Sequence, residues 1–211
     1  MKQNLAVIFL ILSVSLLLVQ PTFAKGNGKW KNTNTTPALT NQEELDLLQL
    51  REEEKLARDV YLYLYDKWGQ WIFANIAESE QRHMDSVLNL LVKHNLQDPV
   101  KQNDPGFFQD PWLQTLYSDL IAAGSVSEVE ALRVGATIED MDIYDIYEML
   151  NHTEKNDLIN VYENLAKGSR NHLRAFVGQL EMFGESYKAQ GYLTQEEIDA
   201  IVDSPRETGR Y

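Results

Sequence analysis

Residues 52–61 read EEEKLARDVY, and the positions around them decide the fold. Leu47, Leu50, Glu54, Ala57, Tyr61 and Leu64 step by alternating threes and fours, the spacing that holds side chains on one face of a helix. Glu54 therefore belongs to an otherwise apolar stripe, while Glu52 and Glu53 turn to flanking positions. The same pattern recurs in ESEQRHM (78–84), where Ile76, Glu80, His83, Val87 and Leu90 share a face. An acid three residues before a His puts carboxylate and imidazole side by side, one turn apart. IEDMDIYD (138–145) adds Glu139 and Asp142, and GSRNHLRAF (168–176) adds His172. Burying unpaired charge is costly, so polar side chains on four core-facing stripes point to a cation between the helices.

The helix signals set the frame. Thr40 and Glu43 form a capping box that opens a first helix running to about Tyr65. A second covers about Trp71 to His94. A long connection, Asn95 to Val126, holds one short helix from Pro111 to Ala123 that Gly124 stops. Ser127 and Glu130 open a third long helix ending near Leu150, and Thr153 opens a fourth ending near Gly184. Thr194 and Glu197 cap a last short helix before Pro205. Short turns make each pair of long helices an antiparallel hairpin. A helix of about 24 residues is roughly 36 Å long, a distance the connection can cross. The expectation is an all-α four-helix bundle over residues 41–203, with one crossover, a short C-terminal helix and a tail at 204–211. Helices paired in register bring Glu54, Glu80, His83, Glu139 and His172 to one level. Tyr61 lies two turns along the same stripe, beside any metal. His94 and His152 fall near helix ends and read as solvent-facing or dipole-compensating residues.

The N-terminus carries a different signal. MKQNLAVIFLILSVSLLLVQPTFA (1–24) has Lys2, an apolar run from Leu5 to Val19, and small residues at Thr22 and Ala24. That is the form of a secretory signal cleaved after Ala24, with an uncleaved anchor as the alternative. Residues 25–40 form a polar lead without periodicity. The expected product is secreted or periplasmic and stays clear of the membrane after cleavage. The net charge of −13, or −14 once Lys2 is removed, argues against nucleic acid as a partner. With no Cys in the chain, disulfides, thiolate ligands and thiol nucleophiles are excluded, so a metal must be held by oxygen and nitrogen.

The stretches EEEKLARDVY, NIAESEQRHMDSVL, ALRVGATIEDMDIYDI and GSRNHLRAF together resemble the ferritin-like domain-of-unknown-function family twenty-two-oh-two, over about residues 40–202. The resemblance implies a ferritin-like bundle with a metal centre; the family has no established reaction. The wider ferritin-like di-iron proteins, rubrerythrins and ferroxidases among them, carry a Glu on each of two helices and a Glu-x-x-His on each of the other two. Glu54 with Tyr61 looks like their first-helix pair, Glu80 with His83 like the first Glu-x-x-His, Glu139 like the third-helix Glu, and His172 like the last His. Ser169 departs from the pattern, standing where the second motif has its Glu. Asp142, one turn after Glu139, is the candidate to replace that carboxylate.

The implied cofactor is di-iron or manganese, with metal ions and oxygen or peroxide as partners. The corresponding activity is that of an oxidoreductase of ferroxidase or peroxidase type. Two alternatives remain at this stage: a non-catalytic metal-binding or structural bundle, and a metal-free bundle whose polar groups pair among themselves.

Overall fold

A computed structural model of the chain describes residues 38–209. The proposed signal and its cleavage point at Ala24 lie outside the described residues, as do most of the polar lead and the last two residues of the tail.

Six helices and no strand are found among the described residues. They are α1 (Asn41–Trp68), α2 (Trp71–Lys93), α3 (Pro111–Gly124), α4 (Glu128–Asn151), α5 (Asn156–Met182) and α6 (Gln195–Val202). Both capping boxes form as expected, Thr40 with Glu43 on α1 and Thr194 with Glu197 on α6. Gly69 ends α1 in the left-handed region at φ 69°, three residues later than expected, and its N–H returns to the Tyr65 carbonyl.

Two boundaries differ from the sequence reading for tertiary reasons. Thr153 does not cap α5; its hydroxyl donates to Glu43 Oε1 at 2.6 Å and accepts from the Lys155 N–H, so α5 begins after Lys155. Gly124 does not stop α3 but closes its last turn. A Cβ there would lie 2.7 Å from a Leu64 methyl, so the missing side chain lets α3 lie against α1.

The tight turns after α1 and α4 make α1/α2 and α4/α5 antiparallel hairpins. Cross-packing sets α1 beside α4 and α2 beside α5, while α3 in the crossover covers α1 and α4. α6 packs on α5. The apolar core falls into two clusters. One is built around Tyr61, Phe73, Leu173 and Phe176, and the other around Leu47, Leu50, Val87 and Leu165. The polar layer lies between them. Burying these side chains stabilises by about 1.5–3 kcal/mol each, which lets the bundle carry a charged layer at its middle. No helix among the described residues is long and apolar enough to cross a membrane.

Candidate metal centre

Mid-way along the four long helices the structure brings together the five residues singled out by their spacing. Glu54, Glu80 and His83 each offer one ligand atom, all within 4.8 Å of one another, and Glu80, Glu139 and His172 do the same. Glu80 belongs to both groups and divides its oxygens between them. Oε2 lies 2.7 Å from His83 Nδ1, and Oε1 lies 2.8 Å from His172 Nδ1. Glu54 Oε2 is 3.1 Å from His83 Nδ1, and Glu139 Oε2 is 3.4 Å from His172 Nδ1. The two imidazoles stack with centroids 5.7 Å apart. The two groups share one carboxylate, and each could hold a metal ion.

The donors fit a cation better than they fit each other. The three carboxylates are 1% exposed, yet Glu54 Oε1 and Glu80 Oε1 have no hydrogen-bond partner, and neither does His172 Nδ1. His172 Nδ1 and Glu80 Oε1 come within hydrogen-bond distance without a hydrogen-bond direction, as donors to a common ion do. Buried polar atoms left unpaired cost about 1–3 kcal/mol each, so three at one point call for a ligand.

Electrostatics say the same. Burial pushes the Glu54 carboxyl well above its ordinary value, and nearby Asp142 adds to the shift. Burial also raises Glu139. For Glu80 burial pulls upward too, but the charges of His172 and His83 outweigh it and hold the carboxyl low. Burial would lower both imidazoles; the carboxylates around them win instead, raising His83 through Glu54 and Glu80 and lifting His172 to about 10 through Glu80 and Glu139. Protons on the two rings thus balance the cluster where no cation does, and a divalent ion would replace them.

Neighbouring residues hold the donors in place. Tyr61 donates to Glu139 Oε1 at 2.6 Å, which fixes that carboxylate's orientation. Gly135 lets the Phe176 ring approach, since a Cβ there would lie 2.5 Å from it. A Cβ on Gly168 would lie 2.6 Å from His83 Nε2, so the missing side chain makes room for the imidazole.

Asp142 stands one step away from the five. It is 7% exposed and belongs to neither three-donor group; its Oδ2 accepts a short hydrogen bond from Ser169 Oγ, which also reaches the Leu165 carbonyl. Burial raises Asp142 to about 7, helped by Glu139 and Glu80. Ser169 is thus the partner of that aspartate.

The flanking glutamates of α1, Glu52 and Glu53, are also buried. The crossover covers Glu52, whose oxygens accept the N–H groups of Gln109 at 2.6 Å and Asp110 at 3.2 Å. Glu53 is 2% exposed with Oε2 unpartnered, and burial together with Asp145 and Asp142 of α4 raises its carboxyl. Helical spacing within α1 could not reveal it, because its cover comes from another part of the chain. His94 and His152 are likewise not free at helix ends. Each meets an acid of another helix at 2.8 Å, His94 with Asp157 and His152 with Asp46.

The sequence profile of an uncharacterized protein domain, DUF2202, matches residues 43–205. The chain belongs to the DUF2202 family. It is 53% identical over 171 residues to the uncharacterized protein MJ0754 of Methanocaldococcus jannaschii, covering 81% of this chain and 92% of that protein. The crystal structure of hypothetical protein MJ0754 from Methanococcus jannaschii superposes with a TM-score of 0.80 at 50% identity. It covers 83% of this chain and 100% of that one. The matched span contains every residue of the centre.

Proposed function

We propose that this DUF2202 protein is an exported ferritin-like metalloprotein holding two iron or manganese ions that react with oxygen or peroxide. The observation that carries the reading is the shared Glu80, with one oxygen in each three-donor group and unpaired donor atoms on either side of it. The proposed ligands are Glu54 and His83 for one ion, Glu139 and His172 for the other, and Glu80 for both. Oxygen and imidazole donors without thiolate suit iron or manganese. When bound, such a pair of ions supplies exchangeable positions for a small oxidant and the electrons to reduce it.

The chain's own residues do the rest. Glu80 keeps the two positions adjacent, Tyr61 orients Glu139, and Ser169 holds Asp142 at the edge of the layer. The apolar clusters above and below exclude water from both ends. Export is supported by residues 1–24, with Lys2, the apolar run and Ala24 read as a cleaved signal.

Metal analysis of the chain reconstituted with iron(II) or manganese(II) under exclusion of air is the first test, with two ions per chain expected. His83→Ala and Glu139→Ala should each retain fewer. Equal metal in both variants and the parent would overturn the reading. Oxygen uptake by the iron-loaded chain then separates catalysis from the second reading, in which the ions only tie the helices together. That reading is favoured by Asp142, whose engagement with Ser169 leaves three carboxylates in the two groups. It requires full metal and no oxygen consumption.

A further inference from the structure

The centre is not equally closed on all sides. Its three carboxylates are 1% exposed, whereas the side chains of His83 and His172 keep 11% and 12% of their surface. His172 lies in the wall of a groove of about 810 Å³ between α2 and α5, within the size range of small-molecule sites, about 300–1,000 Å³. Gly168 lines the same groove and bears no side chain to cover His83 Nε2.

The groove's charge runs against that of the chain. In a protein of net charge −13 its lining holds three arginines and no carboxylate. Arg174 is committed to structure, bonding the Ile201 carbonyl, Ser204, Asn171 and Glu207. Arg82 and Arg206 are exposed, and neither guanidinium has a hydrogen bond or ion pair among the described residues. Ile72, Ile76 and Ala175 add an aliphatic strip.

We propose that the α2/α5 groove is the mouth of the centre and binds a small organic anion, its oxyanion head on Arg82 and Arg206 and its aliphatic part over Ile72 and Ile76. Guanidinium groups with open donors suit carboxylate or phosphate heads. The proposal deepens the metal reading, since it makes the groove the approach to that centre, but anion binding itself is measured separately from metal.

The experiment is calorimetric titration of the purified chain with hexanoate, its uncharged amide hexanamide, and inorganic phosphate, in parallel with metal analysis. Hexanoate should bind saturably, with hexanamide and phosphate weaker by about tenfold or more, the scale of one charge-assisted contact or of the lost aliphatic burial. The double variant Arg82→Ala/Arg206→Ala should weaken hexanoate by a similar factor while metal content stays at the parent value. Gly178 lines the groove with nothing within 4 Å of a built Cβ, so Gly178→Phe should fill the groove and block hexanoate in a chain that still folds. Hexanoate binding that survives both variants overturns the proposal. So does equal binding of hexanamide, tighter binding of phosphate, or absence of saturable binding by any probe. A chain that takes up no metal yet binds hexanoate through the two arginines defeats the metal reading and leaves the anion site standing.

Discussion

Within about a turn and a half of α1 lie two buried carboxylates with opposite circumstances, Asp59 and Glu54. Both are 1% exposed. Asp59 has donors on each oxygen: Arg58 at 3.0 and 2.7 Å on Oδ1, and Lys55 at 2.6 Å with the Gly106 N–H at 3.0 Å on Oδ2. Lys55 in turn bonds the Asp104 carbonyl and lies 4.5 Å from the centre of the Phe108 ring. That patch carries its own cations and fastens the crossover to α1. Glu54 has the His83 imidazole on one oxygen and nothing on the other, and no Lys or Arg pairs with Glu54, Glu80 or Glu139 among the described residues. A buried acid tied to Lys or Arg is a joint; one left with an imidazole and an unpartnered oxygen could take an ion from solution.

The contrast breaks most readily at Asp59. Asp59→Ala strands Lys55 in the interior and should cost about 3–5 kcal/mol of stability, read by denaturant unfolding, while leaving metal per chain unchanged. Lost metal with intact stability would reverse the assignment of the two acids. Next in size is Glu80→Gln. Without the shared carboxylate both positions fail, so the stabilisation that metal gives the parent, about 2.7 kcal/mol at a hundredfold excess over Kd, should vanish in a thermal melt. The apo forms of parent and variant should differ far less than the loaded forms. A Glu54→Gln variant sharpens this, since it should still hold one ion at the Glu139 and His172 side.

Ser169→Ala tests the edge of the cluster. It removes the donor to Asp142 and should cost about 1–3 kcal/mol without emptying the site, measured by unfolding and metal analysis together. The smallest effect is expected at Glu43. Burial would raise its carboxyl, but Lys155, Thr153 and the Thr40 N–H hold it at about 2. A depressed carboxyl contributes stability that is fully present above its unfolded value near 4.5 and is lost as the pH falls towards 2. After screening by solvent this amounts to about 1 kcal/mol. Glu43→Gln should flatten that part of the acid-unfolding curve, and an unchanged curve would show the contact to be inert.

How far the sequence discloses this molecule depends on where each residue's cover comes from. Glu54, Glu80, His83, Glu139 and His172 were legible because each lies on its own helix's apolar stripe, and periodicity reports that stripe directly. Glu52 and Glu53 were not, since their burial comes from the crossover and from α4. Thr153 has the local form of a helix cap, but a glutamate 110 residues away takes its hydroxyl. Ser169 was visible as a departure from a motif, whereas its partnership with Asp142 needed the α4/α5 pairing to be in place.

One feature of the cluster also bears on how the protein is made. Glu54, Glu80 and His83 all belong to the first hairpin, while the other group draws on α2, α4 and α5 at once. That first three-donor group is therefore complete as soon as α1 and α2 have paired, without need of the crossover or the second hairpin. Under the proposed metal reading, a cation caught there would act as a template, holding half of the core in register for the later hairpin to close upon, and the order of translation would become an order of metal loading.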